Sequence, residues 1–383
     1  MRYSSRMWAN VIGQSRVKRI IANAIESGKL PGAYLFSGPE GVGKDAAALE
    51  LAKALNCINP TESGACDECE SCVGIQSLAS NTVHFLHALP KKESSGDEEV
   101  DLKDIDVIRE QLAAKSADPY HNLEIPRATA IQIAQIRELR TALSRSFTGG
   151  QKRVVIISEA DMMNVQSQNA FLKTLEEPHA NTLIILTSSN AHRLLPTIHS
   201  RCQDVRFDAL AAEEIARALI EREELPHEEA EFLSRLANGS YSGARAMIGE
   251  DVKEMRNQIV DFLRMGLSKS RLRAAQQIDL FLPRSGGGKF LERRQATEQR
   301  LALLALWLRD ALALTTKAEA QIVNLDQMDA LVRFVGRFGD PRGIVLALAA
   351  VDRAMHLVRL QLQLRPVMMQ LVVELEEALV TIG

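Results

Sequence analysis

A chain of 383 residues with 46% hydrophobic and 25% charged side chains has the balance of a globular protein of two or three domains, which excludes wholesale disorder. Lys and Arg number 46 against 49 Asp and Glu, a net charge of −3, so there is no dominant basic surface and any nucleic-acid contact must be local or shared with partners. Aromatic residues make up only 4%, which argues against base-stacking platforms for single strands. The longest apolar runs, Ile344–Val351 and Leu301–Leu308, fall far short of the ~18 residues of a membrane span, and the first eight residues carry no apolar signal segment. The expectation is a cytoplasmic protein with no membrane partner.

In chain order, helical patterns at Arg16–Ser27, Lys44–Leu55, Ile133–Ser144 and Ser167–Leu175 alternate with short apolar runs. Those runs, Ala33–Ser37, Thr82–Leu86, Arg153–Ser158, Thr182–Thr187 and Asp204–Phe207, read as strands. Such alternation predicts an α/β domain with a parallel sheet covered by helices on both faces. Residues 93–106 break the rhythm with seven acidic side chains and read as a solvated part of an insertion over about 91–130, to which no chemistry is assigned. After Phe207 only helical patterns remain: Ala211–Arg222, His227–Leu236 and Ser242–Ile248, then long amphipathic helix from Asp251 to Ile382, interrupted by a flexible run at 284–289. The predicted domains are 1–208 (α/β), 209–250 (small helical) and 251–383 (all-α).

Gly38-Pro-Glu-Gly-Val-Gly-Lys44 follows a predicted strand and opens a predicted helix, the context of a phosphate-binding loop. Gly38, Gly41 and Gly43 let backbone N–H groups wrap phosphates, the helix N-terminus adds positive potential, and Lys44 reaches the outer phosphates. The next position should offer Mg²⁺ a Ser or Thr hydroxyl, yet it is Asp45. A carboxylate there repels phosphate, can ligate a metal, or simply suits the first turn of a helix. The strand Val154–Ile157 should end in Asp-Glu to hold Mg²⁺ and activate water, yet it ends in Ser158-Glu159. Both protein ligands for one ion are altered together, which points to lost hydrolysis, with nucleotide binding left open.

Cys57, Cys66, Cys69 and Cys72 place four thiolates within sixteen residues. Four sulfur ligands fill a tetrahedral Zn²⁺ and leave no open position, so the site reads as structural zinc. Cys202 stands apart as an independent buried thiol.

These residues resemble the clamp-loader branch of the AAA+ ATPases, those of bacterial DNA polymerase III. The match runs through Val11–Gln14, Gly32–Pro39, the phosphate loop, the four-Cys insertion, Asn169-Ala-Phe-Leu-Lys-Thr-Leu-Glu-Glu-Pro178, Leu183–Thr187 and Ser200-Arg201-Cys202. It covers most of the first 250 residues, and the C-terminal third is similar only in being helical. The resemblance implies an AAA+ P-loop domain, a helical lid domain and a C-terminal helical collar. It implies that Arg201 reaches into the ATP·Mg²⁺ site of a neighbouring subunit, where a permanently charged, forked guanidinium can stabilise transition-state charge. It also implies a γ-phosphate sensor among Thr187, Ser188 and Ser189, with Ser188 put forward, and a lid arginine at Arg245.

The expected function is therefore that of a non-motor subunit, without ATPase activity of its own, that donates Arg201 to an adjacent motor subunit during loading of the sliding clamp onto primed DNA. Its expected partners are the motor subunits and a delta-type subunit in a heteropentamer, with the sliding clamp and primer-template DNA reached through the assembly. The alternatives are an ATP-hydrolysing motor subunit of the same loader and a zinc-stabilised AAA+ DNA-binding protein outside clamp loading.

Overall fold

The computed structural model describes residues 8, 10–61, 64–90, 102–144, 151–179, 181–249, 251–266, 278–279, 281–282, 290–317, 322–324, 327–360 and 362–381. The chain forms two compact units, Met1–Ser242 and Gly243–Gly383.

Five strands, β1 (Ala33–Ser37), β2 (Val83–Leu86), β3 (Arg153–Ile157), β4 (Thr182–Ser188) and β5 (Gln203–Arg206), build the sheet of the first unit. Every pairing is parallel and the order is β2-β3-β4-β1-β5. All residues of β1, β3 and β4 are buried, which is why these three read as unbroken apolar runs rather than alternating ones. The edge strand β5 buries only Val205 and is polar elsewhere. The register pairs Ser37 with Ser188 and Ile157 with Leu186, so β1 and β4 end together and β3 stops two residues earlier. A crevice beyond those ends is where an open parallel sheet binds ligands.

Helices α1 (Ser15–Glu26), α2 (Lys44–Asn56), α3 (Glu70–Gln76), α4 (Leu102–Ala117), α5 (Ile133–Ser144), α6 (Val165–Glu176), α7 (Pro196–His199), α8 (Ala212–Glu223) and α9 (His227–Leu236) complete this unit, and α10 (Tyr241–Ala246) crosses into the second. On one sheet face, Ile136, Leu139 and Leu143 of α5 and Phe171 and Leu175 of α6 pack against Leu35, Val155, Ile157, Ile184 and Leu186. Asn164 caps α6 by accepting the Ser167 N–H at 2.8 Å. The parallel α/β architecture is as the sequence predicts, and each predicted strand is present to within one residue at either end.

The insertion departs from the expectation. It leaves and returns where Leu89 bridges Ala130, and Leu102–Ala117 within it is a helix, which takes in the last residues of the acidic run. Residues 93–101 and the glycine run at 284–289 lie outside the described residues.

The second unit is helical, with α11 (Val252–Gly266), α12 (Phe290–Thr315), α13 (Met328–Phe338), α14 (Pro341–Arg359) and α15 (Leu364–Glu376), followed by a π-turn at Glu377–Thr381. Leu301, Leu304, Leu308 and Ala311 of α12 are buried, as are Ile344, Ala347 and Val351 on α14, and the two helices pack together. Trp307 meets Phe334 edge to face at 4.8 Å. Buried Asp310 accepts the Asn324 N–H at 2.8 Å and its side-chain amide at 2.7 Å, holding residues 322–324 against α12. The expected continuous helical run is thus broken, and α14 restarts at Asp340, which caps Arg342 N–H at 3.0 Å, followed by Pro341 in the first turn. No described helix is long and apolar enough to cross a membrane.

Candidate functional site

Residues 38–43 turn from β1 into α2 with Gly41 at φ 73° and Gly43 at φ 95°, values that side chains other than glycine rarely take. Space demands glycine as well: a Cβ on Gly41 would lie 2.1 Å from Ser240 Oγ, and one on Gly43 would lie 2.4 Å from Tyr120 Oη. Gln14 braces the loop from outside, donating to Val42 O at 3.3 Å and Asp208 O at 2.7 Å, which gives the Val11–Gln14 segment a local purpose.

The loop lines an open cleft of ≈ 360 Å³ together with Lys115, Pro119, Tyr120, Asn122, Glu159, Thr187 and Ser189. Lys44 folds back over the loop, donating to Gly38 O at 2.9 Å, to Pro39 O and to Ser189 Oγ at 3.1 Å. Burial pushes its pKa below the usual lysine value, while Asp45, Glu40, Glu159 and Asp161 pull it back upward.

Asp45 is committed to the protein itself. Its Oδ2 accepts Ser158 Oγ at 2.7 Å and pairs with Lys115 Nζ at 2.8 Å, and its Oδ1 accepts Thr187 Oγ1 at 2.7 Å. The side chains of Asp45 and Lys115 are 15% and 4% exposed, so this pair lies out of bulk water. Burial alone would raise the carboxyl pKa. The Lys115 charge and hydrogen bond, with those from Thr187 and Ser158, outweigh it and hold the group below the usual aspartate value. Of the three readings of Asp45, the geometry is that of an internal ion pair at the first turn of a helix.

Two of these partners were marked in the sequence and one was not. Ser158 and Thr187 end neighbouring strands, whereas Lys115 comes from α4, in the insertion given no chemistry. A signal existed: Lys115 continues the apolar face of α4 made by Ile105, Ile108 and Leu112, where a lysine must be paired. Tyr120 follows, buried, accepting the Ile12 N–H at 2.8 Å on its hydroxyl and meeting the Tyr241 ring edge-on at 5.0 Å. The Arg222 guanidinium lies 5.7 Å from the Tyr120 ring centre and 5.8 Å from that of Tyr241. Burial pushes the Tyr120 hydroxyl up to about 12, so it stays neutral.

The sensor candidates separate cleanly. Thr187 and Ser189 line the cleft, while the Ser188 side chain is fully buried and donates to Asp161 Oδ1 at 2.7 Å, so that Ser188 meets the loop through its carbonyl, which accepts the Gly38 N–H at 3.2 Å. Glu159 lines the cleft with its backbone at φ 50°, its N–H donating to Thr187 Oγ1 at 3.2 Å. Arg245 belongs to the second unit, where burial lowers its pKa.

Arg201 lies in the turn between α7 and β5, with its side chain 33% exposed. It pairs with Glu176 Oε1 at 2.7 Å, at the end of α6, and donates to Thr197 O at 2.9 Å. The Leu-Glu-Glu and Ser-Arg-Cys motifs, far apart in sequence, therefore meet. Cys202 is half-buried against the sheet core, rather than fully buried, and its thiol is pushed up to about 12 by burial first and by Asp204 second.

The four cysteines converge as their spacing predicts: all four Sγ atoms lie within 4.8 Å of one another, with Cys57 3.5 Å from Cys66 and 4.0 Å from Cys69. Sulfurs on a tetrahedral Zn²⁺ at the usual ~2.3 Å bond length would sit about 3.8 Å apart, so the donor set fits such an ion. Buried Lys53 ties this knuckle to α2, pairing with Glu50 one turn before it and with Asp67 at 2.6 Å.

With this geometry in view, the relatives fall into place. Residues 13–211 match the family described as DNA polymerase III, delta subunit. The chain belongs to that family. It is 28% identical over 319 residues to DNA polymerase III subunit delta' of Bacillus subtilis, covering 83% of each chain. It is 35% identical over 233 residues to subunit delta' of Pseudomonas aeruginosa, covering 60% of this chain and 59% of that one. DNA polymerase III subunit tau of Escherichia coli is 29% identical over 266 residues, with only 35% of its length covered.

Replacing Asp45 by Asn leaves Lys115 as a buried charge without its counter-ion, at a cost of about 3–5 kcal/mol near neutral pH. Because the folded-state pKa of Asp45 is depressed, the wild-type advantage is fully present above pH ~4 and is lost as pH falls through the folded value. Urea unfolding of both proteins from pH 7 to pH 3 should give a stability gap that is constant at first and closes below about pH 4.

Proposed function

We propose that this chain is a delta'-like, non-motor clamp-loader subunit that donates Arg201 to the ATP site of a neighbouring subunit. The reading is carried by one contrast within the first unit. Asp45, with Ser158 and Thr187 donating to it, is paired internally with Lys115, while Arg201 stands at the surface held by the exposed Glu176 carboxylate, the Ser200 hydroxyl and the Thr197 carbonyl. An exposed ion pair of that kind is worth about 0–1 kcal/mol, so Glu176 can hold the guanidinium ready without preventing its transfer to a phosphate.

In this account the chemistry belongs to the neighbour. Its nucleotide meets a guanidinium that stabilises charge developing on the transferred phosphoryl group, and assembly with other DNA polymerase III subunits is what completes the site. The chain's own contribution is rigid presentation: Arg201 follows α7, whose Ile198 is fully buried in the sheet core, and leads into β5. The four cysteines, in the same reading, hold a structural Zn²⁺ that braces the far end of α2 and has no open position for catalysis. The motor alternative requires a Mg²⁺-competent loop, and the Asp45–Lys115 pair speaks against it.

In a loader reconstituted from this chain and its motor partners, with clamp and primed DNA, Arg201→Ala should lower ATP turnover at least tenfold at the site it serves, while Lys44→Ala leaves turnover within about twofold. A loss concentrated in Lys44→Ala would make this chain a motor. The purified chain should carry one zinc, measured by elemental analysis, and Cys69→Ser should lose it together with several degrees of thermal stability.

A further inference from the structure

Three elements bring oxygen atoms together at the Asp45 carboxylate on the cleft floor, and the cation that carboxylate holds is an ammonium. Asp45 opens α2, Ser158 follows β3 and Thr187 lies at the end of β4. Both hydroxyls donate to the carboxylate at 2.7 Å, and Lys115 Nζ approaches it to 2.8 Å while also donating to His121 O at 2.9 Å. A carboxylate, two hydroxyls and a backbone carbonyl are the hard oxygen donors that suit Mg²⁺ or Mn²⁺.

We propose that Lys115 is the resident cation of this phosphate loop, its ammonium filling the seat of a divalent ion so that the loop keeps its shape with no metal. Three observations carry this. The buried carboxylate needs a counter-charge, and Lys44 cannot supply it directly, because its ammonium is committed to Gly38 O, Pro39 O and Ser189 Oγ. The direct contacts fit a monovalent ion: with Ser158 following β3, Asp45 is the one carboxylate in contact with the Lys115 ammonium, which neutralises it, while Glu40 and Glu159 of the same cleft act on Lys44. Finally, Lys115 is tethered by α4 and held by His121 O, so its effective concentration at the seat never falls, whereas Mg²⁺ would have to displace it from a bulk concentration of millimolar order.

The inference is independent of clamp loading, since it concerns only what neutralises Asp45. It also gives the 102–125 part of the insertion a purpose: α4 carries the cation, and the turn after it sets His121 and Tyr120 over the loop.

The test uses the full-length, zinc-loaded chain freed of other divalent ions by dialysis without chelator, and counts bound Mn²⁺ by paramagnetic resonance. The wild type should bind none at the loop, and its melting temperature should be the same with and without 10 mM Mg²⁺. Lys115→Gln should melt several degrees lower, recover most of that loss in Mg²⁺, and take up one Mn²⁺ per chain at least tenfold more tightly than the wild type. Adding Asp45→Asn to Lys115→Gln should abolish both the Mn²⁺ uptake and the Mg²⁺ response, and this doubly neutral variant serves as the folded reference. Mn²⁺ at the loop of the wild type would overturn the proposal. So would a folded Lys115→Gln indifferent to divalent ions, or one that stays unfolded at saturating Mg²⁺ while the double variant folds.

Discussion

A single carboxylate organises the cleft. Asp45 receives hydrogen bonds from the ends of β3 and β4 and an ammonium from α4, so the loop, the sheet and the insertion are joined at one buried atom group. Buried ion pairs gain little net stability over apolar packing, but breaking one is expensive, which makes them effective at fixing a unique arrangement. Here the arrangement fixed is that of a phosphate loop whose charged side chains are satisfied from within. Lys44 turns to loop carbonyls, Asp45 to Lys115, and Tyr120 closes over Gly43 with its hydroxyl on the Ile12 N–H.

That internal closure bears on function through what it leaves available. A motor subunit needs a loop that changes its partners as Mg²⁺ and nucleotide come and go. This loop has partners on hand that neither diffuse nor hydrolyse. Arg201, by contrast, is held at the surface in an ion pair with an exposed glutamate. The division between a closed loop and a surface arginine is the contrast on which the proposed non-motor role rests.

The parallel sheet was legible because β1, β3 and β4 are buried on both faces, so their sequences are unbroken apolar runs bounded by turn residues. The cysteine cluster was legible for a different reason: short Cys spacings constrain geometry locally, and no distant element is needed to bring the thiols together. What stayed hidden depended on tertiary pairing. Asp45 reads as an anomaly while Lys115, 70 residues away, is unassigned, and α4 was obscured by the acidic run that precedes it. Which of the three strand-end hydroxyls faces the cleft was likewise hidden: successive strand residues face opposite ways, so the side chains of Thr187 and Ser189 line the cleft and that of Ser188 reaches Asp161. The meeting of Glu176 with Arg201 likewise needed the packing of α6 beside α7, which no local pattern encodes.

The most direct measurement is a structure of the chain assembled with its motor partners and a non-hydrolysable ATP analogue. The account predicts that the Arg201 guanidinium has left Glu176 and lies within hydrogen-bond distance of the neighbour's terminal phosphate, while the Asp45–Lys115 pair is intact with no metal at the chain's own loop. Arg201 still bound to Glu176 and remote from any nucleotide, or Mg²⁺-nucleotide seated on Lys44 and Asp45, would contradict it.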